Sequence, residues 1–193
     1  MSALVPAGYM AKRVSARPEW LTAAQVVDIY SVSHCVSEDF ASWIAYWKHN
    51  GYWFFDSPEV IERVAREGGV DLQGTSLFFY EVYGQEFDEV EGTWADFGPE
   101  LSFPTQVIVP AEKVLDGYDV VSFECGTSAE CSPLSCNHLA TDVETNSRCL
   151  LASLEQAKQL LEGGAFRGSE PGPFRVFAVY SVAWPYDRRS SAS

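Results

Sequence analysis

Thr75-Ser76-Leu77-Phe78-Phe79-Tyr80-Glu81-Val82-Tyr83 is the strongest strand signal in the chain. Aromatic residues dominate it, and such side chains fit a pleated, buried surface. The elements read on either side of it decide the fold class. Helices come first, then strands with one late helix. That order predicts an α+β fold with a mainly antiparallel sheet of about 5–6 strands rather than alternating βαβ units.

Upstream, Thr22-Ala23-Ala24-Gln25 has the form of a capping box and is followed by Val26, Val27, Ile29, Tyr30 and Val32, predicting a helix near 23–34. Phe40, Trp43, Ile44 and Trp47 recur at helical spacing and predict a second helix near 38–49. Asn50-Gly51 is a stop signal, and Tyr52–Phe55 a short apolar strand. Ser57-Pro58-Glu59 opens a helix over 58–67, which Gly68-Gly69 closes.

Downstream, Gly84 to Glu100 reads as an acidic loop or edge hairpin, and Thr105–Val109 and Tyr118–Phe123 as strands. Residues 126–146 are polar and irregular. Ser153-Leu154-Glu155-Gln156 is another capping box, opening a helix over 153–162 that ends at Gly163-Gly164. Phe174–Val182 is the last strand. No internal repeat is apparent. The 193 residues fit one domain, 1–193, with about 1–18 and 187–193 peripheral or frayed. Twelve Phe, nine Tyr and six Trp predict a core of large side chains.

The formal charge of −14 is local. Between Arg66 and Lys113 there is no Lys, Arg or His, and ten carboxylates fall in that stretch. Such a field attracts cationic partners and repels nucleic acid and anionic membranes. No segment is apolar enough for a membrane span, and no secretory leader is visible, so the expected compartment is the cytoplasm. Aromatics interleave the acids, as in interfaces built on aromatic anchors with a charged rim. Glu86, Asp88, Glu89, Glu91 and Trp94 are therefore the candidate residues for docking a basic protein partner.

Four of the five cysteines lie within 125–149. Cys125, Cys131, Cys136 and Cys149, with His138, are the candidate ligands of a zinc site, although their spacing departs from paired C-x₂₋₄-C ligands. Cys136-Asn137-His138 also places a thiol and an imidazole at i and i+2. Those two residues are the candidate catalytic pair of a thiol enzyme. His34-Cys35 is a further such pair, without a specific signature. The aromatic stretch 40–55 reads as core, or as the lining of a small-ligand pocket. Phosphate-binding loops and metalloprotease or hydrolase motifs are missing.

Small, acidic, aromatic-rich α+β chains of this kind resemble bacterial immunity proteins, which neutralise basic toxins. Composition carries that resemblance, and no motif does. It implies a non-enzymatic binding module of immunity or inhibitor type. The alternatives are a Cys-dependent or metal-supported enzyme centred on 125–149, or an aromatic-lined small-ligand binder.

Overall fold

A computed structural model describes residues 4–45, 49–98, 105–123 and 131–185. In chain order these contain β1 (Leu4–Arg13), β2 (Ser15–Ala16), β3 (Asp28–Ile29), β4 (Glu38–Asp39), α1 (Pro58–Gly68), β5 (Ser76–Asp88), β6 (Thr93–Asp96), β7 (Val114–Ser122), α2 (Pro133–Cys136), α3 (Leu154–Glu162) and β8 (Phe174–Val182). The fold is α+β, with a curled antiparallel sheet ordered β4-β1-β5-β8-β7. β6 folds back on β5 as an acidic hairpin, and β2 and β3 form a separate small ribbon.

β5 runs through the middle of the sheet, which is why Leu77, Phe78, Phe79 and Tyr80 can all be buried. Burying each such side chain contributes roughly 1.5–3 kcal/mol. α1 begins with Pro58 in its first turn and ends at Gly69, whose φ of 67° suits glycine. At α3 the Ser153 hydroxyl accepts from the Gln156 N–H, and the Gln156 side chain accepts from the Ala152 N–H. Helices 58–67 and 153–162 and strand 174–182 therefore stand as read.

Other elements differ from the sequence reading. Residues 23–34 are not a helix. Their N–H groups face another segment from Val27 on: those of Val27 and Asp28 donate to Ser147 O, and that of Tyr30 to Arg148 O. Arg17 donates to the carbonyls of Val26 and Leu21, and its own N–H to Val27 O. β-Branched residues already favour an extended chain, and these tertiary bonds hold it there. Residues 38–49 hold β4 and one 3-10 turn at Phe40–Trp43, capped by Asp39 and followed by extended Ile44; residues 46–48 lie outside the described set. Tyr52–Phe55 is a tight turn rather than a strand, with only Phe55 bridging Tyr9. Segment 105–109 pairs with no strand and instead bonds Asp56. The irregular 126–146 region contains α2 and a 3-10 turn at Leu139–Thr141. Residues 4–13, expected at the periphery, form β1 inside the sheet, with Ala7, Ala11 and Lys12 fully buried. Residues 186–193 are not among those described.

The fold also contains an internal repeat that the sequence reading did not find. Gly8 on β1 and Gly117 on β7 both follow a register shift, at φ 132° and 151°. A Cβ on Gly8 would meet Phe55 O at 2.7 Å, and one on Gly117 would meet Leu151 O at 2.7 Å. The residues that follow, Tyr9 and Tyr118, bridge Phe55 and Leu151. Asn50 donates to Ala7 O and accepts from the N–H groups of Tyr52 and Phe54. Asn146 donates to Asp116 O and accepts from those of Arg148 and Leu150. Trp53 and Cys149 take the matching positive φ values, 67° and 63°. Each turn leads through Ser57 or Ser153 into a helix, then through Gly68-Gly69 or Gly163-Gly164 to a strand.

One unit is thus β1–α1–β5 and the other β7–α3–β8. Tyr80 pairs with Gly8, Val179 pairs with Gly117, and Tyr80 pairs with Val179. A pseudo-two-fold axis through that last pair exchanges the units: it carries Phe78–Ser181 onto Phe177–Val82, which is also a ladder pair. The unequal connections, 9–49 and 118–145, break the period along the sequence.

Candidate metal centre

Both connections converge on one cluster of thiols. Cys35 comes from the first, and Cys131 and Cys136 come from the second. Their sulfur atoms all lie within 4.8 Å of one another. Cys35 is exposed, while Cys131 and Cys136 are half-buried.

Charged residues from both units fix the backbone that carries these thiols. Lys12 on β1 is 0 % exposed. Its ammonium donates to the carbonyls of Ser31 (2.7 Å), Val32 (3.0 Å) and Ser33 (2.7 Å), so each of its three protons has an acceptor. Asp119 on β7 is also fully buried. One of its oxygens accepts from Val32 N–H (2.8 Å) and Ser31 Oγ (3.0 Å), and the other from Ser132 Oγ (2.6 Å). Ladder alternation puts Lys12 and Asp119 on the same sheet face, because Ser76 opposite Lys12 shares parity with Val82, which leads through Phe177 to Asp119. Asp119 therefore joins the loop before Cys35 to the residue after Cys131. On the second side, Ser122 N–H bonds Cys131 O and Cys136 N–H bonds Ser132 O, both at 2.8 Å.

The electrostatics favour one thiolate. The Cys136 thiol is pulled well down, chiefly by the hydrogen bond from Cys131, then by that from Cys35, with Ser33 adding a contact at 3.6 Å. Cys131 is pushed up, because its proton is held against Cys136. Burial pushes Lys12 down to about 8, against the pull of Asp39 and Asp119. Burial also raises Asp119 to about 6, against its three hydrogen-bond donors. One ammonium thus faces two carboxylates and a thiolate, so further positive charge is favoured beside the sulfurs.

The other candidate ligands lie elsewhere. Cys149 occupies the positive-φ turn of the second unit, and burial pushes its thiol up to about 12. His138 packs edge-on against Trp20 at 4.9 Å rather than joining Cys136. Cys125 is outside the described residues. Cys131 and Cys136 were legible as candidates. Cys35 had no ligand spacing to announce it, and the folded chain alone brings it in.

The acidic docking residues sit on the β5–β6 hairpin. Glu86 pairs with Arg175 at 2.9 Å, and that guanidinium lies between the rings of Phe97 and Phe123. Asp88 caps the hairpin turn by accepting from the Val90 and Glu91 N–H groups. Glu89 is half-buried, and Glu91 is exposed. Trp94 packs on Tyr83 and Phe87 and donates to Glu162 at 2.8 Å.

Comparison with known proteins returns no matching family model, no matching curated protein and no matching solved structure. No described helix is long and apolar enough to cross a membrane.

Proposed function

We propose that the protein binds a soft divalent cation of the zinc class on Cys35, Cys131 and Cys136, and that its activity depends on that ion. The convergence of three sulfurs within 4.8 Å, from loops about a hundred residues apart, carries this reading. Tetrahedral zinc with Zn–S near 2.3 Å needs sulfurs only ~3.8 Å apart, so small side-chain adjustments suffice. A divalent ion cancels two of the three thiolate charges at a place where one ammonium already faces two carboxylates. Three protein ligands also leave a fourth position for water or an external ligand, as in zinc sites that do chemistry.

Cobalt(II) tests this directly. One equivalent bound to the reduced protein is expected to give thiolate-to-metal charge-transfer absorption, displaced by zinc and altered by an added small thiol. Protein that takes up neither ion, and whose thiols react equally fast with and without zinc, rules the site out.

The hairpin supports a second reading, an immunity- or inhibitor-type module that docks a basic partner. Val90 is 86 % exposed at the tip, between exposed Asp88 and Glu91. An apolar contact inside a carboxylate rim suits a cationic surface. Reversing Asp88 and Glu91 to Lys should abolish capture of such a partner. Undiminished, salt-insensitive capture by that variant removes the reading.

A further inference from the structure

We infer that an ion at the three-thiol centre acts as a latch between the two repeats, so that metal occupancy sets how firmly the Cys35 bend of the first, already tied by Asp119 and by thiol hydrogen bonds, is held against the second. This inference rests on the metal reading above. The repeats share a continuous sheet through β5 and β8, and that junction needs no ion. The connections do not share it. Residues 32–37 form bends without ladder pairing; backbone anchors lie on either side of Cys35, and its own thiol is held by hydrogen bonds to Cys131 and Cys136. Before it, Lys12 and Asp119 hold residues 31–33. After it, Ser37 accepts from Ser15 N–H and donates to Ile29 O. His34 and Cys35 between them are exposed, so apolar burial adds little there.

Cys131, by contrast, lies just before α2 and Cys136 ends it, and the Pro133, Leu134 and Ser135 of that helix are buried. The second repeat therefore offers a fixed pair of sulfurs, and the first offers a third on an exposed bend. A metal ion bonded to all three converts that bend into a cross-link between the units. The coupling is reciprocal: whatever loosens the bend weakens the ion, and loss of the ion leaves the bend to its hydrogen bonds alone.

Hydrogen exchange on the full chain, reduced and either metal-free or zinc-loaded, reads this out. Zinc is expected to slow exchange in peptides spanning 30–38 and 131–141, and to leave β8 unchanged. Cys35→Ser changes an exposed side chain and should fold, as checked by circular dichroism. Losing a direct ligand should weaken zinc by more than the roughly 10–100-fold seen when an outer-shell partner is lost. Zinc saturating Cys35→Ser should then leave 30–38 as it is in the metal-free protein. If zinc binds the wild type stoichiometrically and 30–38 exchanges at the metal-free rate, the latch is wrong and the metal site stands. If zinc does not bind at all, both fall. Equal protection of 30–38 by zinc in Cys35→Ser also overturns the latch.

Discussion

Lys12 shows how one side chain can organise a site it does not touch. Its three hydrogen bonds satisfy three buried carbonyls, and a buried acceptor left unpaired costs roughly 1–3 kcal/mol. Lys12→Met should therefore destabilise the protein by about 3–5 kcal/mol, the range for breaking a buried charged contact; urea unfolding measures it. Asp119 makes a pH prediction. Burial raises its folded carboxyl to about 6 from the ordinary 3.8, so the folded state binds the proton more tightly. That contribution is fully present below about 3.8 and is lost as pH rises through 6. The thermal midpoint of wild type relative to Asp119→Asn should accordingly fall between pH 4 and 6 and level off above. A flat difference over that window contradicts the assignment. Neither residue announces this role in sequence: a lysine in a strand reads as surface, and only the carbonyls folded onto it make burial tolerable.

At the level of elements, the two glycine-tyrosine bridges are equivalent and should fail alike. Gly8→Ala and Gly117→Ala each place a Cβ 2.7 Å from a backbone oxygen at a φ that L-residues avoid. Each should lose about 3 kcal/mol or more, from strain plus overpacking. Similar losses in the two variants are expected, and a near-neutral result for either would break the equivalence of the units. α1, α3 and β8 were legible because their signals are local: a proline or serine at the start, paired glycines at the end, and a run of aromatic or β-branched residues. Segment 23–34 was not, because its hydrophobic pattern suits a helix while its N–H groups find partners at Ser147 and Arg148. The repeat stayed hidden for a related reason. Its shared features are φ signs and side-chain-to-backbone bonds, which Phe54-Phe55 and Leu150-Leu151 satisfy equally well without looking alike.

For the whole molecule, an ion that binds only the folded state stabilises it by mass action. Zinc at about one hundred times its dissociation constant should add ~2.7 kcal/mol. In a chain of this size that raises the melting temperature by about 5–10 °C. Differential scanning calorimetry should show the rise in wild type and its loss in Cys35→Ser; an unchanged midpoint at saturating zinc would mean the ion does not favour the native state. Composition and local pattern determined the α+β class, the aromatic core, the acidic hairpin and two of the three thiols, because helix caps, strand runs and charge density are written over a few neighbouring residues. The third thiol, the burial of Lys12 and Asp119, and the pseudo-two-fold axis were decided only by tertiary structure. They depend on which distant backbone groups remain unpaired once β5 and β8 have joined the two units, and no local stretch of sequence records that.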